Sequence, residues 1–241
     1  MVVDAVSPPH AQQHEMQTWN EDEIMLFLDA AKPTVYYEIF YLALFTGMRR
    51  SELLALRWQD IDSILGQIYV NRSVHVLKGG QIHFRTPKTA KGRRTIALTP
   101  STLLMLAEYQ QRKEAEALLL DRPMQDIDLL FGNLEGKPVL PSTLTHAWGK
   151  AVKRAGLKHI RLHDARHTHA SLMLKQGIHP KIVQERLGHS SITITLDTYS
   201  HVAPGLQQAA ANAFDDAFKV SHNKAAEKLS SKLVAEFSYG K

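Results

Sequence analysis

The stretch QERLGHSSITITLDTYSHV, from Gln184 to Val202, decides how this chain is read: it places a histidine directly behind a glycine (Gly188, His189) and a tyrosine ten positions later (Tyr199). Ser190 is placed to cap a short helix expected over about 191–198. Ten helical residues span about 15 Å, so Tyr199 would lie on a segment able to enter a site from one side. Alone, such a tyrosine is an ordinary core or surface aromatic. Its weight comes from the cationic motifs upstream.

In TGMRRSELLALRW (Thr46–Trp58), Gly47 lets the backbone leave a helix, Arg49 projects from the next helix N-terminus, and Glu52 is three residues on, where it can pair with Arg49. An exposed Arg–Glu pair is the plainer alternative. In RTPKTAKGRRTIAL (Arg85–Leu98), a lysine sits in a turn before a β-run. An ammonium there could protonate a departing alkoxide, and Lys88 is the candidate over Lys91; a solvated turn lysine is the alternative. In RLHDARHTHASLMLKQG (Arg161–Gly177), His163 and Arg166 stack on one helical face. A guanidinium binds two phosphate oxygens as a fork, and a helix N-terminus adds positive potential. His163, His167 and His169 also invite a zinc reading, but neither the Glu of an HExxH motif nor a cysteine accompanies them. His167 and His169 are read as packing or capping residues.

Net charge is +5 and the sequence pI about 9.3, which favours a polyanionic partner. Arg49, Arg50, Arg57, Arg72, Lys78, Lys88, Lys91, Arg93 and Arg94 concentrate that charge in the first hundred residues. There is no cysteine, so a disulfide framework and a thiolate metal site are both excluded. No apolar run reaches the ~18 residues of a membrane span, and MVVDAVSPPH lacks the basic and apolar regions of a signal peptide. A cytoplasmic protein without a membrane partner is expected.

Residues 1–17, with Pro8, Pro9 and a polar AQQH stretch, read as a linker or arm, and folding is expected from Thr18. Asn20 before three acidic residues marks a helix start, with Ile24, Phe27 and Leu28 as its apolar stripe to about Ala31. Further helices are expected over about 34–45 and 51–56. Short β-runs follow, QIYVNRSV, GQIHFR and RRTIAL, predicting a small antiparallel sheet set among helices. Helices resume over about 100–119, 142–155, 164–176, 180–187 and 191–198, with Gly177 and Gly188 as stop signals. The Ala-rich stretch from Gly205 is helix-prone, and 220–241 reads as a polar, lysine-rich C-terminal extension.

Taken in order, these motifs resemble those of the tyrosine recombinases of the phage-integrase family. The resemblance covers about residues 18–219: TGMRRSELLALRW resembles the first arginine motif, TPKTAKGRRTIAL the β-hairpin lysine, HDARHTHAS the H-x-x-R box, and LGHSSITITLDTYSHV the closing histidine and tyrosine. It implies an α+β, mainly helical catalytic domain with a small antiparallel sheet, acting as a site-specific DNA recombinase through a 3′-phosphotyrosyl intermediate and a free 5′-hydroxyl. The family roles fall on Arg49, Lys88, His163, Arg166, His189 and Tyr199. Tyr199 is the nucleophile, and Arg49, Arg166 and His189 hold the nonbridging oxygens. His163 assists proton transfer at the tyrosine, and Lys88 protonates the leaving oxygen. No metal or cofactor is implied. The implied partners are double-stranded DNA, a homo-tetramer assembled on it, and a directionality factor. HTHAS and TYSHV most resemble integrases of phages and integrative elements.

Two departures stand out. Ala165 replaces an expected leucine, a packing change, and the sequence has no room for the family's N-terminal helical clamp domain. The latter sets up the alternative function, a DNA-binding remnant that no longer recombines. A zinc hydrolase built on the histidines and a type IB topoisomerase are further alternatives.

Overall fold

Asn20 starts the first helix, α1 (Glu21–Ala31), by a reciprocal cap: its side chain accepts from the Glu23 N–H and the Glu23 carboxylate accepts from the Asn20 N–H, both at 2.8 Å. The computed structural model describes residues 17–86, 92–133 and 136–199, and in the tail 211–212, 214–216 and 218–219. The apolar stripe of α1 (Ile24, Phe27, Leu28, Ala31) is buried, as its spacing requires. It packs on α5 (Pro141–Ala155), whose Trp148 is the centre of an aromatic cluster. Trp148 stacks on Trp19 at 5.5 Å, lies 4.3 Å from Phe27, meets Phe40 edge-on at 5.2 Å, and donates its indole N–H to Ile160 O at 2.8 Å.

Phe40 belongs to α2 (Tyr37–Thr46), which is buried on nearly every side, as a helix apolar all round must be. The start expected at Thr34 falls later because Thr34 is used to close α1: its N–H and hydroxyl both donate to Ala31 O. Around α2 pack α4 (Pro100–Leu119) and α6 (Asp164–Lys175). Both α4 and α5, like α7 (Pro180–Leu187), begin with proline, where the missing N–H has no intrahelical partner to lose.

The helix expected over 51–56 is shorter, α3 (Arg50–Leu53). Ala55 N–H and Leu56 N–H turn back to Glu52 O and Leu53 O, and a 3₁₀ turn follows over Trp58–Asp60, carrying the chain into the strands. The strands form two antiparallel sheets. One orders β1 (Ile61–Asp62), β2 (Gln67–Val70) and β5 (Arg94–Ala97), with the buried Ile68 opposite the buried Ile96; the other pairs β3 (Ser73–Val76) with β4 (Ile82–Arg85). The expected turn over 87–91, with Lys88, lies outside the described residues.

α8 (Ile192–Tyr199) completes the sequence of named helices. Its start is capped by Ser191, whose hydroxyl accepts from the Ile194 N–H, and not by Ser190 as expected, a one-residue difference in where the helix begins. The chain divides into two compact units, Met1–Thr198 and Tyr199–Lys241. In the second, residues 211–212, 214–216 and 218–219 are helical, and Phe214 and Phe218 are exposed with ring centroids 4.8 Å apart. Ala209, Ala213 and Ala217 lie outside the described residues. No helix among the described residues is long and apolar enough to cross a membrane.

Because three large rings close on Trp148, Trp148→Ala leaves a cavity that neighbouring side chains cannot fill. The expected loss is about 3–5 kcal/mol, read in urea unfolding as a lower midpoint with an unchanged slope.

Candidate active site

Two helices end in one place. α2 stops at Gly47 and α7 at Gly188, both left-handed at φ +64° and +68°. A Cβ on Gly47 would sit 2.7 Å from Leu187 Cδ2 and 2.8 Å from His169 Cδ2. Only glycine supplies both the backbone conformation and the space.

The last carbonyls of both helices point into this junction and are taken up by arginines. Buried Arg166, on α6, donates to Gly47 O at 2.8 Å and to Leu187 O at 2.6 Å. Arg186 donates to Phe45 O at 3.0 Å, to Ala97 O at 2.9 Å and to His169 Nε2 at 3.0 Å. His169 Nδ1 donates in turn to Leu44 O at 2.9 Å. Arg94, on β5, donates through Nε to Arg186 O at 2.7 Å and spans both Glu52 oxygens at 3.0 and 2.8 Å. Arg49 reaches Glu52 at 2.8 Å and Gly188 O at 3.4 Å, yet its side chain stays 39% exposed.

Glu52 organises the cations. Burial by itself would raise its pKa, but hydrogen bonds and charge from Arg94 and Arg49 overcome that and lower it to about 2. His163, an exposed residue, stands at the N-terminus of α6 with its ring 5.3 Å from the His167 ring and edge-on to it. His189 follows Gly188; its Nδ1 lies 2.9 Å from Thr195 Oγ1 and its carbonyl accepts from Gln184 Nε2. Partial burial, then Arg166 and Arg49, lowers the pKa of both His163 and His189, the latter to about 4. Both rings are therefore neutral near pH 7.

Two clefts open onto these groups. Arg49, Arg50, Thr145, Arg161 and His163 line one of about 400 Å³; Arg93, Arg94, Lys181, His189 and Ser190 line another of about 480 Å³. A larger cleft of about 620 Å³, against Tyr36, Ile39, Tyr109 and Phe131, carries none of the motif residues.

Of the six residues singled out from sequence, Arg49, His163, Arg166 and His189 come together. Tyr199 ends α8, the helix that follows His189, with its side chain buried; Lys88 lies outside the described residues. His169 is the packing residue expected, held between Leu44 and Arg186. The sequence reading missed Arg94, Arg186 and Thr195. Arg94 carried a signal: it alternates with Ile96 on β5 and so shares the inward face.

These ionisations set an acid limit. Glu52 and His189 both have folded pKa values below their unfolded ones, so each contributes stability at neutral pH that is lost on acidification: His189 between pH 6.5 and about 4, Glu52 between pH 4.5 and about 2. For Glu52 the loss is roughly 3 kcal/mol at 1.36 kcal/mol per pKa unit. In urea unfolding at a series of pH values, His189→Gln is expected to make the upper fall shallower and leave the lower one.

The phage integrase family model matches residues 16–205 of the chain. A tyrosine recombinase XerC-like protein of Caldanaerobacter subterraneus is 31% identical over 223 residues, which cover 88% of this chain and 57% of that one. The ICEBs1 integrase of Bacillus subtilis is 32% identical over 206 residues, covering 84% of this chain and 55% of its own. Thus the chain spans a little over half the length of these curated relatives. Among solved structures, a Tn1549 transposon integrase in complex with transposon right end DNA superposes with a TM-score of 0.69 at 25% identity, covering 85% of this chain and 68% of that one. XerA recombinase superposes at 0.64 and 25% identity, covering 86% and 67%. With the mainly helical fold, the two small antiparallel sheets and the arginine junction in place, these matches establish that the chain belongs to the phage integrase family.

Proposed function

We propose that this chain is the strand-cleaving and rejoining part of a site-specific DNA recombinase, an integrase of a phage or integrative element. The observation that carries this reading is the convergence of Arg49, Arg166, His163 and His189 at one junction, followed by a helix ending in tyrosine. Such a group suits a phosphodiester, whose anionic oxygens match guanidinium forks and an imidazole N–H. The relatives named tyrosine recombinase and integrase, and the transposon integrase bound to DNA, support it.

In this mechanism the Tyr199 oxygen forms a bond to phosphorus, the bond from phosphorus to the 5′ oxygen breaks, and the DNA 3′ end is left as a phosphotyrosyl ester. A phenol with a pKa of ~10 needs help to react at neutral pH. Neutral His163 accepts its proton. Arg49, Arg166 and His189 hold the nonbridging oxygens as charge builds in the transition state. Lys88 delivers a proton to the leaving 5′ oxygen. Rejoining runs the same steps backwards, with a new 5′ hydroxyl attacking the phosphotyrosine. The domain proper is residues 18–219, preceded by a linker or arm over 1–17 and followed by an extension over 220–241. The protein works in the cytoplasm on double-stranded DNA, as a homo-tetramer and with a directionality factor.

On a suicide duplex that traps the covalent intermediate, the wild-type chain is expected to form an adduct mapping to Tyr199, and Tyr199→Phe none. Equal adduct from both would reject the nucleophile assignment; DNA binding with no adduct from either would favour the binding remnant. Arg49→Ala, which removes the most exposed guanidinium of the junction, is expected to slow adduct formation about 100- to 1000-fold, the cost of one transition-state donor.

The tetramer assignment draws on the helical residues 211–212, 214–216 and 218–219, whose exposed Phe214 and Phe218 offer apolar surface that a neighbouring copy would cover. Deleting the chain from Gly205 is expected to leave DNA binding and abolish DNA-dependent oligomerisation in sedimentation. Unchanged oligomerisation would exclude this role for the tail.

A further inference from the structure

Thr195 lies on α8 with no exposed surface, and its hydroxyl is 2.9 Å from His189 Nδ1. Helical threonines ordinarily return the hydroxyl proton to the carbonyl one turn earlier, as Thr46 does to Leu42 O and Thr145 to Pro141 O in this chain. Thr195 does not; among the described residues, His189 Nδ1 is its hydroxyl's hydrogen-bond partner. A buried hydroxyl proton without an acceptor is costly, so the hydroxyl donates and Nδ1 accepts. In a neutral imidazole an accepting Nδ1 leaves the proton on Nε2.

We propose that Thr195 is a positioning residue for strand cleavage: its hydroxyl, donating to Nδ1, holds His189 as the Nε2–H tautomer, so that Nε2 carries the proton offered to a phosphodiester oxygen. The proposal rests on the recombinase reading, because it assigns His189 a phosphate to serve. The opposite tautomer would present a lone pair to an anion, which repels it. Charge cannot do the same work. Arg166, Arg49, His167 and Arg94 face the ring, Arg93 and Lys181 line the cleft beside it, and Glu185 is the acid there. That surplus of cations opposes an imidazolium, so the tautomer decides whether Nε2 donates. The backbone is held as well: Gln184 Nε2 donates to His189 O, and Gly188 gives the turn that delivers the ring.

The test uses the full chain labelled with ¹⁵N-histidine, in which long-range ¹H–¹⁵N spectra report the tautomer of each ring and His189→Gln identifies the His189 signals. The wild type is expected to show Nε2–H. Thr195→Val keeps the shape and removes the hydroxyl; it is expected to give mixed tautomers and a first-turnover adduct yield on suicide DNA lowered about tenfold or more, with DNA affinity unchanged. Thr195→Ser is expected to restore both readouts. An Nδ1–H ring in the wild type, or a valine variant with unaltered tautomer and rate, would overturn the proposal. A wild type with the Nε2–H ring but no adduct would count against the recombinase reading and leave the tautomer assignment standing.

Discussion

The site depends on helix C-termini that are capped by arginine. The ends of α2 and α7 offer Phe45, Gly47, Arg186, Leu187 and Gly188 carbonyls that no intrahelical N–H can reach, and their dipoles leave a partial negative charge there. Arg49, Arg94, Arg166 and Arg186 answer both needs at once. Each hydrogen bond from a charged group contributes about 1.5–3 kcal/mol, enough to hold guanidinium groups that would otherwise repel one another. Burial first, and then the nearby Arg94, lower the Arg186 pKa. Glu52 is the carboxylate shared by Arg49 and Arg94, so the junction keeps a surplus of positive charge. An anion bound there relieves the crowding, and whatever binds the folded state alone also stabilises it.

The same geometry explains why the junction is rigid where it meets the backbone and open where it meets solvent. Gly47 and Gly188 allow two helix ends to approach closely, and a Cβ on Gly188 would come within 3.0 Å of Arg94 Cδ. Arg94 is held by Arg186 O and both Glu52 oxygens, and Arg166 by Gly47 O and Leu187 O, so the backbone fixes where each guanidinium lies. Arg49, more exposed and held at its base by Glu52, keeps donor capacity facing outward. One buried arginine, Arg94, fixes the exposed Arg49 through the carboxylate of Glu52 that they share. Substituting lysine would not reproduce this, since a point charge cannot span two acceptors as a planar fork does.

Local chemistry made much of this legible from sequence. The Asn20 cap, the β-rich runs that hold β2 and β5 and the glycine at the end of α7 each leave a mark in the sequence, and these elements lie where that mark puts them. α3 was overestimated because its length is set by the turn that feeds Trp58 into the 3₁₀ segment, a tertiary requirement without a local motif. Arg186 was invisible for another reason. On a helix with Lys181 and Glu185 it looks like a solvated cation, and only the arrival of Phe45 and Ala97 from distant parts of the chain makes it structural. The motif residues were recognisable as a set because each type suits one phosphate. Their partners were not, because a carbonyl carries no residue identity.

The depressed histidines follow from the same charge surplus and give it a chemical use. His163 and His189 are held neutral by burial and by Arg166 and Arg49, the guanidinium groups assigned to the phosphate. In the proposed mechanism a phosphodiester between those guanidinium groups cancels part of their field, and its arrival raises the proton affinity of both rings as a proton leaves the tyrosine. In that mechanism His163, an exposed residue at the start of α6, takes the proton. In the tautomer proposed for it, the ring tied to Thr195 cannot use Nδ1, and its Nε2–H remains a donor. Two imidazoles whose pKa values are both lowered are thereby given different tasks by what their nitrogens touch. A buried hydroxyl on α8 makes the difference.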